Sequence, residues 1–177
     1  MRYDEDYYYN LLRLQAEHAQ KISEIRWEFV GDCNARYVLD YGCGAGFFKA
    51  FAPEGVEIDT YDIGPFVMTG ISRESYDLIC LWDVIEHVDW EKKPDLKMLE
   101  AMMKAEYVAI SLPIMPEDKK LKEWKHWKPG EHLFRFKYID RVISFFKARG
   151  FKLIKMEDIE NPPREDIYDF LFKREGK

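Results

Sequence analysis

Cysteine is scarce in this sequence, and its three copies are not spaced for cross-linking. Cys33, Cys43 and Cys80 are odd in number, and none of them belongs to a CxxC pair. This spacing argues against a disulfide framework and against a zinc site, so we expect reduced thiols and no metal. The sequence also lacks an apolar run near the roughly 20 residues that span a bilayer, and its first residues lack the apolar core of a secretion signal. We therefore expect a cytoplasmic protein with no membrane segment.

A basic surplus is missing as well, because the formal net charge is −6. A protein whose main task is to grip phosphate backbones more often carries a positive surplus, so the composition does not imply a nucleic-acid partner. Apolar residues, in contrast, make up 47% of the 177 residues. This composition predicts one globular domain over 1–177, with an N-terminal helical segment at 1–33 and a core at 34–177.

A short apolar strand that ends in a glycine-rich turn is the most informative stretch. Residues 36–48 read RYVLDYGCGAGFF, with Asp40 at the point where the strand ends. Gly42, Gly44 and Gly46 let the backbone turn sharply and let a ligand approach main-chain N–H groups. The stretch therefore predicts a ligand-binding turn between a strand and a helix.

Apolar segments alternate between strand and helix spacing along the rest of the chain. Strands are predicted at 36–41, 56–62, 76–82, 107–112, 151–156 and 167–172, and helices at 4–30, at 45–51, from 94 and from 138. This alternation predicts an α/β protein with a parallel sheet, and the last two strands are close enough to pair antiparallel. Ligands on such sheets bind at the carboxyl ends of the strands where the strand order reverses, which is where the glycine turn lies.

The spacing of one further acid narrows the class of ligand. Asp62 ends the second strand about twenty residues beyond Asp40, where a carboxylate can accept hydrogen bonds from both ribose hydroxyls. A dinucleotide site needs a third glycine in a GxGxxG pattern, but Phe47 occupies that place and would crowd a pyrophosphate. No Lys-Ser/Thr pair follows, so the phosphate-loop pattern fails too.

The glycine run resembles the first motif of class I S-adenosylmethionine-dependent methyltransferases. The similarity extends to the Val-Ile-Glu-His-Val run at 84–88 and to the Gly-Glu-His-Leu-Phe run at 130–134, which look like the type 11 or type 23 branch. The resemblance covers roughly residues 36–175. It implies a three-layer Rossmann-like methyltransferase fold, a mostly parallel sheet with an antiparallel C-terminal hairpin, and S-adenosylmethionine as the cofactor.

The resemblance also implies which residues contact the cofactor. By position, the turn would hold its methionine part, the end of the second strand its ribose and adenine, and the end of the central strand the side near the methyl group. The residues of the turn are Asp40, Tyr41, Gly42, Cys43 and Gly44. Those at the end of the second strand are Asp62 and Ile63, and those at the end of the central strand are Leu81, Trp82 and Asp83.

The connection between the second and central strands departs from the family pattern. It spans only about thirteen residues, 63–75, where a full family member has a helix, a strand and another helix. We therefore predict a truncated third-strand region and a more open adenine site.

Histidines are the candidate general bases, although a base is needed only if the nucleophile arrives protonated. His87 follows the central strand, close to where the methyl group would lie. His132 lies between a lysine-rich connection and the next helix, and His126 is the weaker third candidate. We predict catalytic roles for His87 and His132.

The acceptor stays open among three hypotheses. The first is in-line methyl transfer to a small molecule. The second is the same reaction on protein or RNA, reached through the lysine- and tryptophan-rich part of a predicted lid at 114–133. The third is a non-catalytic partner subunit that keeps the cofactor fold.

Overall fold

A computed structural model of the chain contains a six-stranded mixed sheet with helices packed on both faces. It describes residues 5–64, 69–90, 95–117, 120–126, 128, 138–158 and 166–176, with the side chains of the first helix described from residue 18 onward. The strands are β1 (Tyr37–Tyr41), β2 (Glu57–Tyr61), β3 (Tyr76–Trp82), β4 (Ala105–Pro113), β5 (Phe151–Asp158) and β6 (Ile167–Arg174). The helices are α1 (Glu5–Val30), α2 (Phe47–Ala50), α3 (Leu96–Lys104) and α4 (Ile139–Lys147). None of the helices described here is long and apolar enough to cross a membrane.

The strands lie in the order β2-β1-β3-β4-β6-β5. The first three pairs are parallel, whereas β6 runs antiparallel to both β4 and β5. This arrangement confirms the predicted Rossmann-like fold and its C-terminal antiparallel hairpin. The chain runs outward from β1 to β2 and then crosses to β3 on the other side of β1, so the strand order reverses beside the glycine turn.

Alternation along the strands sorts the core into two layers. Val38 packs with Phe29 of α1 on one face of the sheet, whereas Leu39 and Tyr41 pack on the other face with residues of α3 and α4. Because side chains of a strand point alternately to the two faces, Asp40 lies on the same side as Val38. The buried carboxyl of Asp40 is therefore directed toward α1.

The connection from β2 to β3 contains no helix or strand in its described residues, 63–64 and 69–75. This confirms the predicted loss of the third-strand region. The connection is held instead by side chains along the free edge of β2. The Thr69 hydroxyl accepts a hydrogen bond from the N–H of Thr60 at 2.6 Å and lies 3.0 Å from its carbonyl oxygen. Asp59 accepts hydrogen bonds from the main chain of Ser72 and from the hydroxyl of Tyr76.

Replacing Thr69 with Val should lower the free energy of unfolding by about 1–2 kcal/mol, because the edge polar groups of Thr60 lose their partner. Urea titration measures the difference. Ser75→Ala, which removes an exposed hydroxyl from the same connection, is the matched control and should leave stability nearly unchanged. Equal stability of the two variants would contradict this role for Thr69.

Candidate active site

A cavity of about 180 Å³ lies between α1 and the carboxyl ends of β1 and β3. The helix forms one wall with His18, Ile22 and Arg26, which recur at four-residue spacing and so share a face. The glycine turn forms the opposite wall, and Asp40, at the end of β1, also lines the cavity. The cavity therefore occupies the place where the strand order predicts a ligand.

The shape of the turn depends on Gly42. Its φ angle is +78°, and a Cβ atom added there would come within 2.4 Å of Val84 Cγ2. The N–H groups of Gly42 and Cys43 donate to the carbonyl oxygen of Tyr61 at 2.7 and 3.2 Å, which anchors the turn to the end of β2. A side chain at position 42 would meet both backbone strain and a steric clash.

Asp62 holds the other end of the turn. Its two carboxylate oxygens accept hydrogen bonds from the N–H groups of Gly44 and Gly64, each at 2.8 Å. Each carboxylate oxygen has a second lone pair, so these bonds leave capacity for a ligand hydroxyl. Ile63 follows directly with 77% of its surface exposed at the open edge of the sheet.

Asp40 is the buried carboxyl of the cavity. It is 2% exposed, and its Oδ2 atom has no hydrogen-bond partner among the described residues. Burial raises the pKa of Asp40 to about 7; the Arg26 guanidinium partly opposes this rise in pKa, and the Asp62 carboxylate adds to it. An unsatisfied buried acceptor is costly, so the site favours a ligand that brings a donor or a positive charge.

Arg26 ties α1 to the ends of two strands. Its Nη2 donates to Asp83 Oδ2 at 2.7 Å and to Ser111 Oγ at 3.0 Å, and its guanidinium carbon lies 4.7 Å from the centre of the Trp82 ring. The Ser111 hydroxyl also lies 3.0 Å from Asp83 Oδ1. Asp83 itself has a φ angle of +58°, which is uncommon for a residue other than glycine.

The structure brings together most of the residues that the sequence assigns to the cofactor. Those that line the cavity are Asp40, Gly42, Cys43, Gly44, Trp82 and Asp83. The Tyr41 side chain packs on the opposite face of the sheet and donates to Asp95 Oδ2 at 2.7 Å, and Leu81 is buried in that same layer. A cofactor contact by Tyr41 or Leu81 therefore stays a prediction, and it would have to be made by their main-chain atoms.

The predicted catalytic histidines lie elsewhere or outside the described residues. His87 belongs to a short 3₁₀ helix, Ile85–His87, and does not line the cavity, whereas His132 lies outside the described residues, as does the run at 130–134. The ring of His126 packs edge-to-face against the ring of Trp124, with the two centroids 5.5 Å apart. In the described ranges, no group of three His, Cys, Asp or Glu residues could hold a metal ion.

Sequence reasoning missed the role of Arg26 and placed His18 only on a helix face. Both residues line the cavity. The sequence did contain a signal for this. His18 and Arg26 each lie four residues from Ile22, on a helix face that was expected to be buried. A polar residue on the buried face of an amphipathic helix needs a partner, which here is Asp83 for Arg26.

Replacing Gly42 with Ala should lower the free energy of unfolding by roughly 2–4 kcal/mol. This loss is the sum of two costs, that of holding Ala in the left-handed backbone region and that of the close contact between its Cβ atom and Val84. Gly55→Ala is the matched control, because Gly55 has a φ angle of +85° but no atom within 4 Å of an added Cβ. Its loss should be only about 1 kcal/mol. Equal losses in urea titrations would contradict the predicted clash with Val84.

Replacing Asp40 with Asn should stabilise the ligand-free protein at pH 8. Burial raises the pKa of Asp40 in the folded state, so folded protein retains a proton that unfolded protein loses, and stability falls as pH rises toward 7. Removing this penalty should raise the free energy of unfolding by roughly 1–4 kcal/mol at pH 8 and by less at pH 5. Urea titrations at both pH values measure it, with Asp32→Asn as a control on an exposed carboxylate. A destabilised Asp40→Asn protein at pH 8 would contradict the argument.

A family model described as a methyltransferase domain of type 23 matches residues 7–156. No curated protein matches the chain.

Solved structures share the fold at low sequence identity. The magnesium protoporphyrin IX methyltransferase from Synechocystis PCC 6803, solved with S-adenosylhomocysteine, is 16% identical with a TM-score of 0.63, over 88% of this chain and 83% of that one. An S-adenosylmethionine-dependent methyltransferase from Archaeoglobus fulgidus is 16% identical with a TM-score of 0.61, over 88% and 94%. The 16S rRNA methylase ArmA is 13% identical with a TM-score of 0.56, over 94% and 90%. Since the family model spans most of the sequence, the chain belongs to the class I S-adenosylmethionine-dependent methyltransferases.

Proposed function

We propose that this methyltransferase acts on a small molecule and holds the amino-acid end of S-adenosylmethionine in the cavity beneath α1. The observation that carries the binding site is the buried, unpartnered Oδ2 atom of Asp40 beside the glycine turn. An ammonium group supplies both the donor and the positive charge that this atom lacks. Asp62 then binds the ribose hydroxyls, and the exposed Ile63 supports the adenine ring.

Bound S-adenosylmethionine supplies a methyl group that is already activated by its positive sulfur. The task of the chain is therefore to orient the acceptor in line with that bond, and such positioning can contribute about 7–11 kcal/mol. Phe47, Phe48 and Trp82 give the cavity an apolar wall that excludes water from the reacting atoms. His87 and His132 remain the proposed proton acceptors, and we add His18 because it lines the cavity.

A small acceptor is favoured by the cover that α1 provides and by the formal net charge of −6. One structural neighbour is a magnesium protoporphyrin IX methyltransferase, while another is an rRNA methylase, so both acceptor classes occur on this fold. Lys120, Lys122, Lys125 and Lys128 are exposed in the described part of the lysine-rich segment, which keeps RNA as the alternative. Salt titration separates the two, because binding to a phosphate backbone weakens steeply as salt rises.

Calorimetric titration with S-adenosylhomocysteine tests the site. Affinity should rise between pH 6 and pH 8, because the pKa of Asp40 is raised to about 7 and only its ionised form pairs with an ammonium group. Asp40→Asn should weaken binding roughly tenfold to a hundredfold at pH 8 and should reduce the pH dependence. The other charged or titratable groups near Asp40 are His18, Arg26, Cys43, Asp62, Cys80 and Asp83.

Asp32→Asn is the control for the loss of one carboxylate and should bind like the unmodified protein. Wild-type protein that fails to bind S-adenosylhomocysteine would contradict the proposed site. Unchanged affinity in Asp40→Asn would show that the ammonium group lies elsewhere.

A further inference from the structure

We propose that Thr69 is a positioning residue for cofactor binding, because it holds the free edge of β2, the strand on which the glycine turn is anchored. The inference rests on the proposed function, since it names a residue outside the cavity that affects how firmly the turn is held for S-adenosylmethionine. It gives a role to the connection that stands in place of the third-strand region of the family.

The glycine turn is anchored on the end of β2. The N–H groups of Gly42 and Cys43 donate to the carbonyl oxygen of Tyr61 at 2.7 and 3.2 Å. The next N–H group, that of Gly44, donates to Asp62 Oδ2 at 2.8 Å. A shift of residues 61–62 therefore moves the turn, and it also moves the carboxylate that we propose for the ribose.

The strand that carries these anchors lies at the edge of the sheet. In the described part of the chain, β1 is the one strand that pairs with β2. Glu57 donates to Arg36 on the β1 side, and Tyr61 accepts from the turn on that same side. Because main-chain groups alternate in direction along a strand, those of Thr60 are directed toward the free edge. Such edge groups need a partner from another part of the chain.

Thr69 is the partner of Thr60 at this edge. Its hydroxyl accepts from the Thr60 N–H at 2.6 Å and donates to the Thr60 carbonyl oxygen at 3.0 Å. The two threonine hydroxyl oxygens also lie 2.7 Å apart. One side chain thus satisfies both main-chain groups of the residue that precedes Tyr61.

The Thr60 side chain extends this link toward the turn. Thr60 is in register with Asp40 and is 5% exposed, so its side chain lies on the α1 face of the sheet. Burial raises the pKa of the Cys43 thiol, and a hydrogen bond from the Thr60 hydroxyl partly opposes that rise in pKa. Thr60 therefore lies between Thr69 at the free edge and Cys43 in the turn.

The rest of the connection runs back along β2, in the direction opposite to the strand. After Thr69, the N–H of Ser72 donates to Asp59 Oδ2 at 3.0 Å, and the Arg73 guanidinium pairs with Glu57. The connection thus contacts residues 60, 59 and 57 of β2 in that order. Thr69 makes the contact nearest to the turn, so the positioning role falls on it.

Calorimetric titration with S-adenosylhomocysteine tests this role in three variants. Thr69→Val removes the hydroxyl but keeps the shape of the side chain, and it should weaken binding roughly fivefold to tenfold. Thr69→Ser keeps the hydroxyl and should bind within about twofold of wild-type protein. Gly55→Ala is the control for lost stability, because it strains the exposed start of β2, far from the turn. It should bind like wild-type protein.

Equal affinities of Thr69→Val and Gly55→Ala would overturn the positioning role, because Thr69 would then contribute to stability alone. That result would leave the proposed function intact. Failure of wild-type protein to bind S-adenosylhomocysteine would instead overturn the proposed function.

Amide hydrogen exchange in wild-type protein tests the same link if Thr69→Val does not fold. Coupling between two sites is reciprocal, so a ligand that needs the turn in place should also strengthen the Thr60–Thr69 contact. Thr60 does not line the cavity. Saturating S-adenosylhomocysteine should nevertheless slow exchange of the Thr60 amide at least about fivefold more than that of amides in β5, at the opposite edge of the sheet. Equal slowing at the two edges would overturn the positioning role.

Discussion

The guanidinium group of Arg26 joins α1 to the ends of two neighbouring strands, β3 and β4. It belongs to α1, it donates to Asp83 after β3 and to Ser111 on β4, and it lies over the ring of Trp82. The Arg26 side chain is 12% exposed and that of Asp83 is 38% exposed, so solvent screens part of the attraction between them. This contact acts together with the buried Phe29 and Val30 to hold α1 over the strand ends.

Features that oppose stability collect at the same edge of the sheet. Gly42 and Asp83 have positive φ angles, and the carboxyl of Asp40 is buried with one oxygen unpartnered. None of these features strengthens the fold, and the buried carboxyl beside the turn is what leads us to propose a ligand there. Stability and binding thus make opposite demands on Asp40, since the isosteric amide removes the buried charge together with the partner for an ammonium group.

The sequence predicts the sheet well because the signals are local. The apolar run Tyr76–Trp82 is a strand with the predicted bounds, whereas α2 is shorter than the predicted helix at 45–51. The connection at 63–75 is too short for the third strand of the family and its two helices, so its length predicts that this region is truncated. Local patterns do not reveal which element a helix covers, so the pairing of Arg26 with Asp83, 57 residues away, was not predictable. The opposite orientation of Tyr41 was predictable, because side chains of a strand alternate between faces.

A crystal structure of the complex with S-adenosylhomocysteine tests the central claim most directly, because it locates the amino-acid end of the ligand. We predict that this end lies between α1 and the glycine turn, with its ammonium group within hydrogen-bond distance of Asp40. An amino-acid end that lies outside the cavity, or an ammonium group directed away from Asp40, would contradict this prediction.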